Sequence, residues 1–231
     1  MRSALALSLG RAWIRWAVRR RMDGLFVEGL DHARTALARG PVLFAANHVS
    51  WWDGPLCALL DGHTGAESLF VVDAHNLRKI PFLRWFGCTE LDRSSPLAMR
   101  RGLARTVDWL DAPSKAAWIF PQGRQRPAHL RPLGIERGVA WLARRSGATV
   151  VPVAIQYGWR ESHQPSAALF FGPPCDGEVA TLETNLNHQL EQIDQFFDGQ
   201  RSITALMPGR DRRVQNGLGA RLLTASVRKV S

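Results

Sequence analysis

A histidine followed five positions later by an aspartate, within Asn47-His48-Val49-Ser50-Trp51-Trp52-Asp53, is the first segment of this chain whose side chains suggest a reaction. The segment follows the apolar run VLFAA, and a loop leaving the carboxyl end of a buried strand is where α/β proteins present reactive groups. If the chain enters a helix near Asp53, with Gly54 and Pro55 at its start, the carboxylate can reach back to one imidazole nitrogen. It would then fix the tautomer and leave the other nitrogen as a base able to activate a hydroxyl. The same spacing also suits a structural histidine with a hydrogen-bonded partner. A second segment, Phe120-Pro121-Gln122-Gly123-Arg124-Gln125-Arg126-Pro127, leaves the apolar run AAWIF. Gly123 permits a tight turn with free backbone N–H groups, and Arg124, Arg126 and Arg131 put guanidinium groups beside it, so an anion is expected there. An ordinary polar loop has a similar composition. Arg93, closing Gly87-Cys88-Thr89-Glu90-Leu91-Asp92-Arg93, is a further candidate anion ligand. Val150 to Ile155 reads as a buried strand interrupted by Pro152.

Such groups need a frame. Short apolar runs alternate with longer helical patterns from Leu25 onward, which is the mark of an α/β layer structure with a mostly parallel central sheet flanked by helices. The patterns place strands at 25–28, 42–46, 69–73, 89–92, 117–120, 149–156 and 168–171. They place helices at 54–60, 81–86, 96–110, 134–145 and 178–197. The last helix is the clearest, because Val179, Leu182, Leu186, Leu190, Ile193 and Phe197 recur every three or four residues.

The chain has 231 residues, 45% of them hydrophobic, 22% charged and 9 of them Trp, which suits one folded domain and excludes disordered or disulfide-scaffold classes. Cys57, Cys88 and Cys175 are far apart and show no metal-binding spacing, so no metal is expected. The net charge of +10 sits at the ends: 6 Arg and no acid in residues 1–22, and a surplus of 5 positive charges in residues 208–231. The body, 23–207, carries 18 basic and 19 acidic side chains. Basic flanks on a neutral body suit anionic lipid headgroups better than a nucleic-acid groove, and no nucleic-acid partner is expected. Solvated tails would show the same charges.

On a helix, Leu5, Leu9, Ala12, Trp13 and Trp16 share one face with Arg11, Arg15 and Arg19 beside it, so residues 1–22 read as an amphipathic arm at a membrane interface. A first helix packed on the protein's own core has a related pattern. The short uncharged stretch 4–10, broken by Arg11, does not read as a secretory signal, and no run of 18 apolar residues marks a membrane span. The expected organisation is an arm (1–22), one domain (23–207) and a basic tail (208–231).

Taken in order, the four segments resemble the blocks of the glycerolipid O-acyltransferase family typified by bacterial lysophosphatidic acid acyltransferases. NHVSWWD resembles NHxxxxD, GCTELDR resembles Gly-x-x-x-x-Asp-Arg, FPQGRQRP resembles FPEGTRS, and VVPVAI resembles VPVAI. The resemblance spans about residues 27–156. It implies transfer of an acyl group from acyl-CoA or acyl carrier protein to a lipid hydroxyl, with no cofactor beyond that donor. His48 would be the base, Asp53 its orienting partner, and Asn47 would help position the loop. Arg93, Arg124 and Arg126 would hold the acceptor's phosphate or the carrier's phosphates, Gln122 would belong to the acceptor's phosphate site, and Gly123 with its neighbouring amides would shape the acceptor or oxyanion region. It also implies a peripheral protein on the cytoplasmic face of the cell membrane, with membrane lipids as partners. Trp51 and Trp52 would face acyl chain or bilayer, or pack in the core.

Two positions depart from the family's third block. Its Glu is Gln122 here and its Arg is Gln125, with arginines on either side at Arg124 and Arg126. The implied acceptor therefore widens from lysophosphatidic acid to another lysolipid, an amino-acid lipid or a hydroxylated isoprenoid lipid. A lipid-binding scaffold of the same fold is the alternative from the binding class, and the intact His48 and Asp53 speak against it.

Overall fold

The computed structural model describes residues 3–160 and 162–210. Its elements, in chain order, are α1 (Ala4–Arg21), β1 (Gly24–Glu28), α2 (Leu30–Arg39), β2 (Val42–Ala46), α3 (Asp53–Thr64), β3 (Glu67–Asp73), α4 (Ala74–Lys79), a 3-10 helix (Pro81–Phe86), β4 (Cys88–Leu91), α5 (Pro96–Trp109), β5 (Lys115–Ile119), α6 (Gly138–Ser146), β6 (Thr149–Gly158), β7 (Ser166–Phe171), α7 (Val179–Phe197) and β8 (Ala205–Pro208). The strands form one eight-stranded sheet in the order β4-β3-β5-β2-β6-β7-β1-β8. Neighbours from β4 through β6 are parallel, β7 runs antiparallel to β6, β1 is parallel to β7, and β8 closes the edge antiparallel to β1. The sheet is thus mostly parallel and flanked by helices, as the alternation of apolar runs predicts.

β2 lies in the middle, and all five of its residues are buried. Because successive side chains leave a strand on opposite faces, its apolar run feeds two cores. Val42, Phe44 and Ala46 point toward α1, α2 and α3, whereas Leu43 and Ala45 join α5, α6 and α7. The neighbouring strands follow suit: Trp118 and Val151 on the first face, Ala117 and Val150 on the second. On the first face the rings of Phe44 and Trp118 stack with centroids 4.5 Å apart, which adds to the area they remove from water. This double burial fixes the height of β2, and with it the point where residue 47 leaves the sheet.

α1 turns an amphipathic face to the protein as well as to solvent. Ile14, Ala17 and Val18 are buried, and Met22 follows them into the same core. Leu5, Leu9, Trp13 and Trp16 remain exposed. No described helix is long and apolar enough to cross a membrane.

Several boundaries differ from the sequence patterns, each for a local reason. α2 rests on Ala33, Ala36 and Leu37, small side chains that leave little periodic signal. Helix α6 starts at Gly138 and not at 134, because Gly134 takes a positive φ of 75° and the Glu136 amide donates to the Pro121 carbonyl at 2.8 Å. The stretch 134–137 is thereby drawn against the 121–124 turn. β8 and α4 were not anticipated; both are short, and α4 is held by Asp73, whose carboxylate caps the His75 amide at 2.8 Å. The basic tail predicted for 208–231 lies outside the described residues from 211 onward.

Candidate active site

The loop from β2 to α3 turns sharply, because Asp53 opens α3 and its carboxylate gathers the backbone before it. Its Oδ2 accepts from the Val49 amide at 2.7 Å, from the Ser50 amide at 2.9 Å and from Nδ1 of His48 at 2.7 Å. A carboxylate at the start of a helix faces the unpaired N–H groups there. The other oxygen, Oδ1, accepts from the Tyr157 hydroxyl at 2.7 Å. Asp53 is completely buried, so these four donors replace its hydration.

With Nδ1 donating to Asp53, the imidazole keeps its lone pair on Nε2, which has no protein partner among the described residues. The ring is stacked on Phe120 at 4.4 Å between centroids, and about a quarter of the side chain (23%) reaches solvent. The arrangement is an oriented base at a partly open surface, poised to accept a proton from a hydroxyl.

The Tyr157 hydroxyl is pushed well above the ordinary phenol range, by burial first and then by the Asp53 charge beside it. It stays protonated and therefore donates. Nothing in the four motifs pointed to Tyr157. The available signal was its position two residues beyond Ile155 on the same face of β6, with a single Tyr in the whole chain.

Asn47 and Gln122, expected at the site, are beneath it. Asn47 is buried, its Nδ2 donating to the Ile155 carbonyl at 2.9 Å and its Oδ1 accepting from the Ile155 amide at 2.7 Å. It ties the end of β2 to β6 and positions the loop; both contacts are spent on backbone, so it is not among the groups that meet substrate. Gln122 is buried too. Its Oε1 accepts from the His48 amide at 2.7 Å, and its Nε2 donates to the Leu133 carbonyl at 2.8 Å. The expected substrate ligand is therefore a clamp that needs one acceptor and one donor, which a carboxamide supplies and a carboxylate does not.

The arginines do come together. Arg93, Arg124 and Arg126 line a cleft of about 410 Å³ with Gln122, Gly123, Gly134 and Glu136. Gly123 has a φ of 67°, and a methyl group there would collide with the Arg93 guanidinium and the Glu136 carboxylate. Arg93 bridges to Glu136 at 3.0 Å. Arg126 is partly committed, its Nη1 donating to the Leu133 carbonyl at 2.7 Å and its amide to the His48 carbonyl at 2.8 Å. Arg124 is exposed. Three guanidinium groups against one carboxylate leave the cleft positive, and their forked donors suit a phosphate. Arg131 does not line this cleft; its guanidinium caps the Ala128 and Leu130 carbonyls.

The indoles of Trp51 and Trp52 meet α1. Trp13 stacks on Trp52 at 6.3 Å and meets Trp51 edge-on at 6.5 Å. Trp52 is half-buried against the core and Trp51 is exposed, so the pair divides between packing and surface.

Comparison with known proteins places the chain among acyltransferases. The chain is 29% identical, over 124 residues, to a 1-acyl-sn-glycerol-3-phosphate acyltransferase of Saccharomyces cerevisiae. That match covers 52% of this chain and 40% of the yeast protein, so the chain corresponds to about two fifths of that relative's length. A family model described as Acyltransferase matches residues 24–156, a span that holds the His48–Asp53 pair, the arginine cleft and the Asn47–Ile155 clamp. The chain belongs to the acyltransferase family.

Proposed function

We propose that this chain moves an acyl group from a thioester donor, acyl-CoA or acyl-acyl carrier protein, onto the hydroxyl of a lysophospholipid or related lipid. The reaction would take place at the cytoplasmic face of the cell membrane, with the protein bound peripherally. The observation that carries the reading is the buried Asp53 carboxylate holding His48 by Nδ1, which leaves Nε2 as a base at the surface. Membership in the acyltransferase family supports the chemistry, and the likeness to the yeast 1-acyl-sn-glycerol-3-phosphate acyltransferase supports a glycerolipid acceptor.

In this scheme Nε2 of His48 takes the acceptor hydroxyl's proton as the oxygen attacks the thioester carbonyl. Asp53 stabilises the imidazolium that forms. The tetrahedral intermediate expels the thiolate, which recovers the proton from His48, so no covalent acyl-enzyme is needed. The acceptor's phosphate sits against Arg93, Arg124 and Arg126, whose cleft adjoins the His48 loop through the Arg126 amide. The cleft's arginine side chains favour an acceptor with an anionic headgroup without singling out lysophosphatidic acid.

Contact with a bilayer is supported by the exposed Leu5, Leu9, Trp13 and Trp16 on α1, with arginines alongside. The decisive experiment supplies labelled acyl-CoA and acyl carrier protein with a panel of lysolipid and non-glycerol acceptors, and identifies the product by mass. Formation of an acylated lipid that depends on His48 supports the reading. Thioester turnover independent of any lipid acceptor refutes it. For the membrane part, Leu5→Ser/Leu9→Ser/Trp16→Ser should lose affinity for vesicles of phosphatidylcholine and phosphatidylglycerol, and unaltered binding would remove α1 from the account.

A further inference from the structure

The 3-10 helix Pro81–Phe86 buries none of its residues, yet it displays Phe82 at 53% and Trp85 at 59% exposure. Large rings left in water at adjoining positions call for a partner. The helix is not a loose flap. The Ser3 amide, at the start of α1, donates to the Trp85 carbonyl at 3.1 Å, and the Phe86 ring lies directly on Gly10. A methyl group at Gly10 would overlap that ring. A glycine inside a helix costs about 1 kcal/mol relative to alanine, and here the missing side chain is the seat for Phe86. Phe82 continues the contact, its ring edge-on to Phe86 at 6.2 Å. The rings thus line α1 in a strip: Trp51 and Trp52 meet Trp13, and three residues earlier on the same helix Gly10 meets Phe86, to which Phe82 is edge-on.

Cations flank the outer end of this strip. Arg78 and Lys79 end α4 just before the 3-10 helix, and Arg84 lies within it; all three are exposed. Arg84 shares Glu90 with Arg105, so that one carboxylate serves two guanidinium groups and the local balance stays positive. Aromatic tips among exposed cations match the boundary between acyl chains and anionic headgroups.

We propose that the 3-10 helix is a second membrane anchor, which Gly10 locks against α1 so that both insert as one plate into an anionic bilayer. The inference rests on the peripheral acyltransferase reading and adds to it a separate set of residues. It also places the plate beside the base, because Trp13 on α1 meets Trp51 and Trp52 on the loop that carries His48.

The test compares the unaltered protein, Phe82→Ser/Trp85→Ser, and the conservative Phe82→Leu/Trp85→Phe by co-sedimentation with phosphatidylcholine–phosphatidylglycerol vesicles. Because both rings are exposed, the melting temperature should not change, and neither should turnover with a monomeric short-chain acceptor. The serine variant should partition at least about tenfold more weakly, the scale expected when two large apolar side chains lose their burial, and the conservative variant should hold its affinity. Undiminished binding by the serine variant, while the α1 variant loses it, overturns the second anchor and leaves α1 as the membrane element. Failure of the unaltered protein to bind vesicles at all overturns both the anchor and the peripheral reading. Equal loss in the serine and conservative variants also overturns the anchor, because insertion driven by apolar burial would tolerate Leu and Phe at these positions.

Discussion

The His48–Asp53 pair and the arginine cleft next to it are built in opposite ways. Asp53 has no exposure and four hydrogen-bond donors, and the loop around it is pinned from below by Asn47 and Gln122. The cleft is lined by side chains that are largely exposed, with Arg93 tied to Glu136 and Arg124 reaching into solvent. The first region is held in place because the polar atoms of Asp53, Asn47 and Gln122 are spent on their neighbours, leaving Nε2 of His48 for a substrate. The second has guanidinium groups still able to move onto a ligand. Proton transfer needs a fixed geometry, whereas recognition of a headgroup tolerates side chains that adapt.

The contrast predicts steep losses on one side and graded losses on the other. His48→Ala should lower thiol release from acyl-CoA or acyl carrier protein by about a thousandfold or more while the protein keeps its fold; measurable turnover near the parent rate would end the assignment of the base. Asp53→Asn should cost nearly as much, since an amide can leave His48 in the wrong tautomer, and it should also lower the melting temperature because two backbone amides lose a charged acceptor. Gln122→Glu comes next. Its carboxylate would oppose the Leu133 carbonyl at 2.8 Å, a penalty of about 1–3 kcal/mol for the broken clamp, with a corresponding drop in melting temperature and turnover; a variant as stable and active as the parent would show that the clamp is dispensable.

Smaller effects belong to the cleft and to the outer support of Asp53. Arg124→Ala should raise KM for a phosphorylated acceptor by about tenfold, the range for one charge-assisted hydrogen bond, with kcat little changed. An equal loss with an uncharged acceptor would contradict the phosphate assignment. Tyr157→Phe should reduce turnover by several-fold, since the buried Asp53 carboxylate loses one of its four donors and holds His48 less firmly. The alkaline stability profile offers a second check. The thiol of Cys88 is pushed by burial up to about 12 from 9.0, and the Tyr157 phenol is also raised. A group whose folded pKa lies above its unfolded value adds stability in full below the unfolded value and loses it as pH rises toward the folded one. Stability should therefore fall from about pH 9 upward, and Tyr157→Phe should remove the part that sets in near pH 10. A flat profile from pH 8 to 11 would speak against both burials.

Much of the frame could be read from the chain. The alternation of apolar runs and helical patterns led to a mostly parallel sheet, and the run VLFAA to a strand buried on both faces. The five-residue step from His48 to Asp53, with Gly54 and Pro55 behind it, led to the contact between them. What escaped were features set by distant partners. Tyr157 reaches Asp53 across 104 positions, and Gln122 reaches His48 across 74, so no local pattern could mark them. Glu136 meets Arg93 because the chain at 134–137 stays out of the helix that its apolar spacing suggested. The resemblance put Asn47 at the site as a group that positions the loop and Gln122 in the phosphate site; both are buried, Asn47 on the Ile155 backbone and Gln122 between His48 and Leu133.

The clamp between Asn47 and Ile155 spans 108 residues, and β1 finds its partner only at β7. While the chain is still emerging from the ribosome, the histidine loop is made long before the strand that props it. The loop is therefore completed only once the chain has been made past Tyr157 and β6 has folded back beside β2.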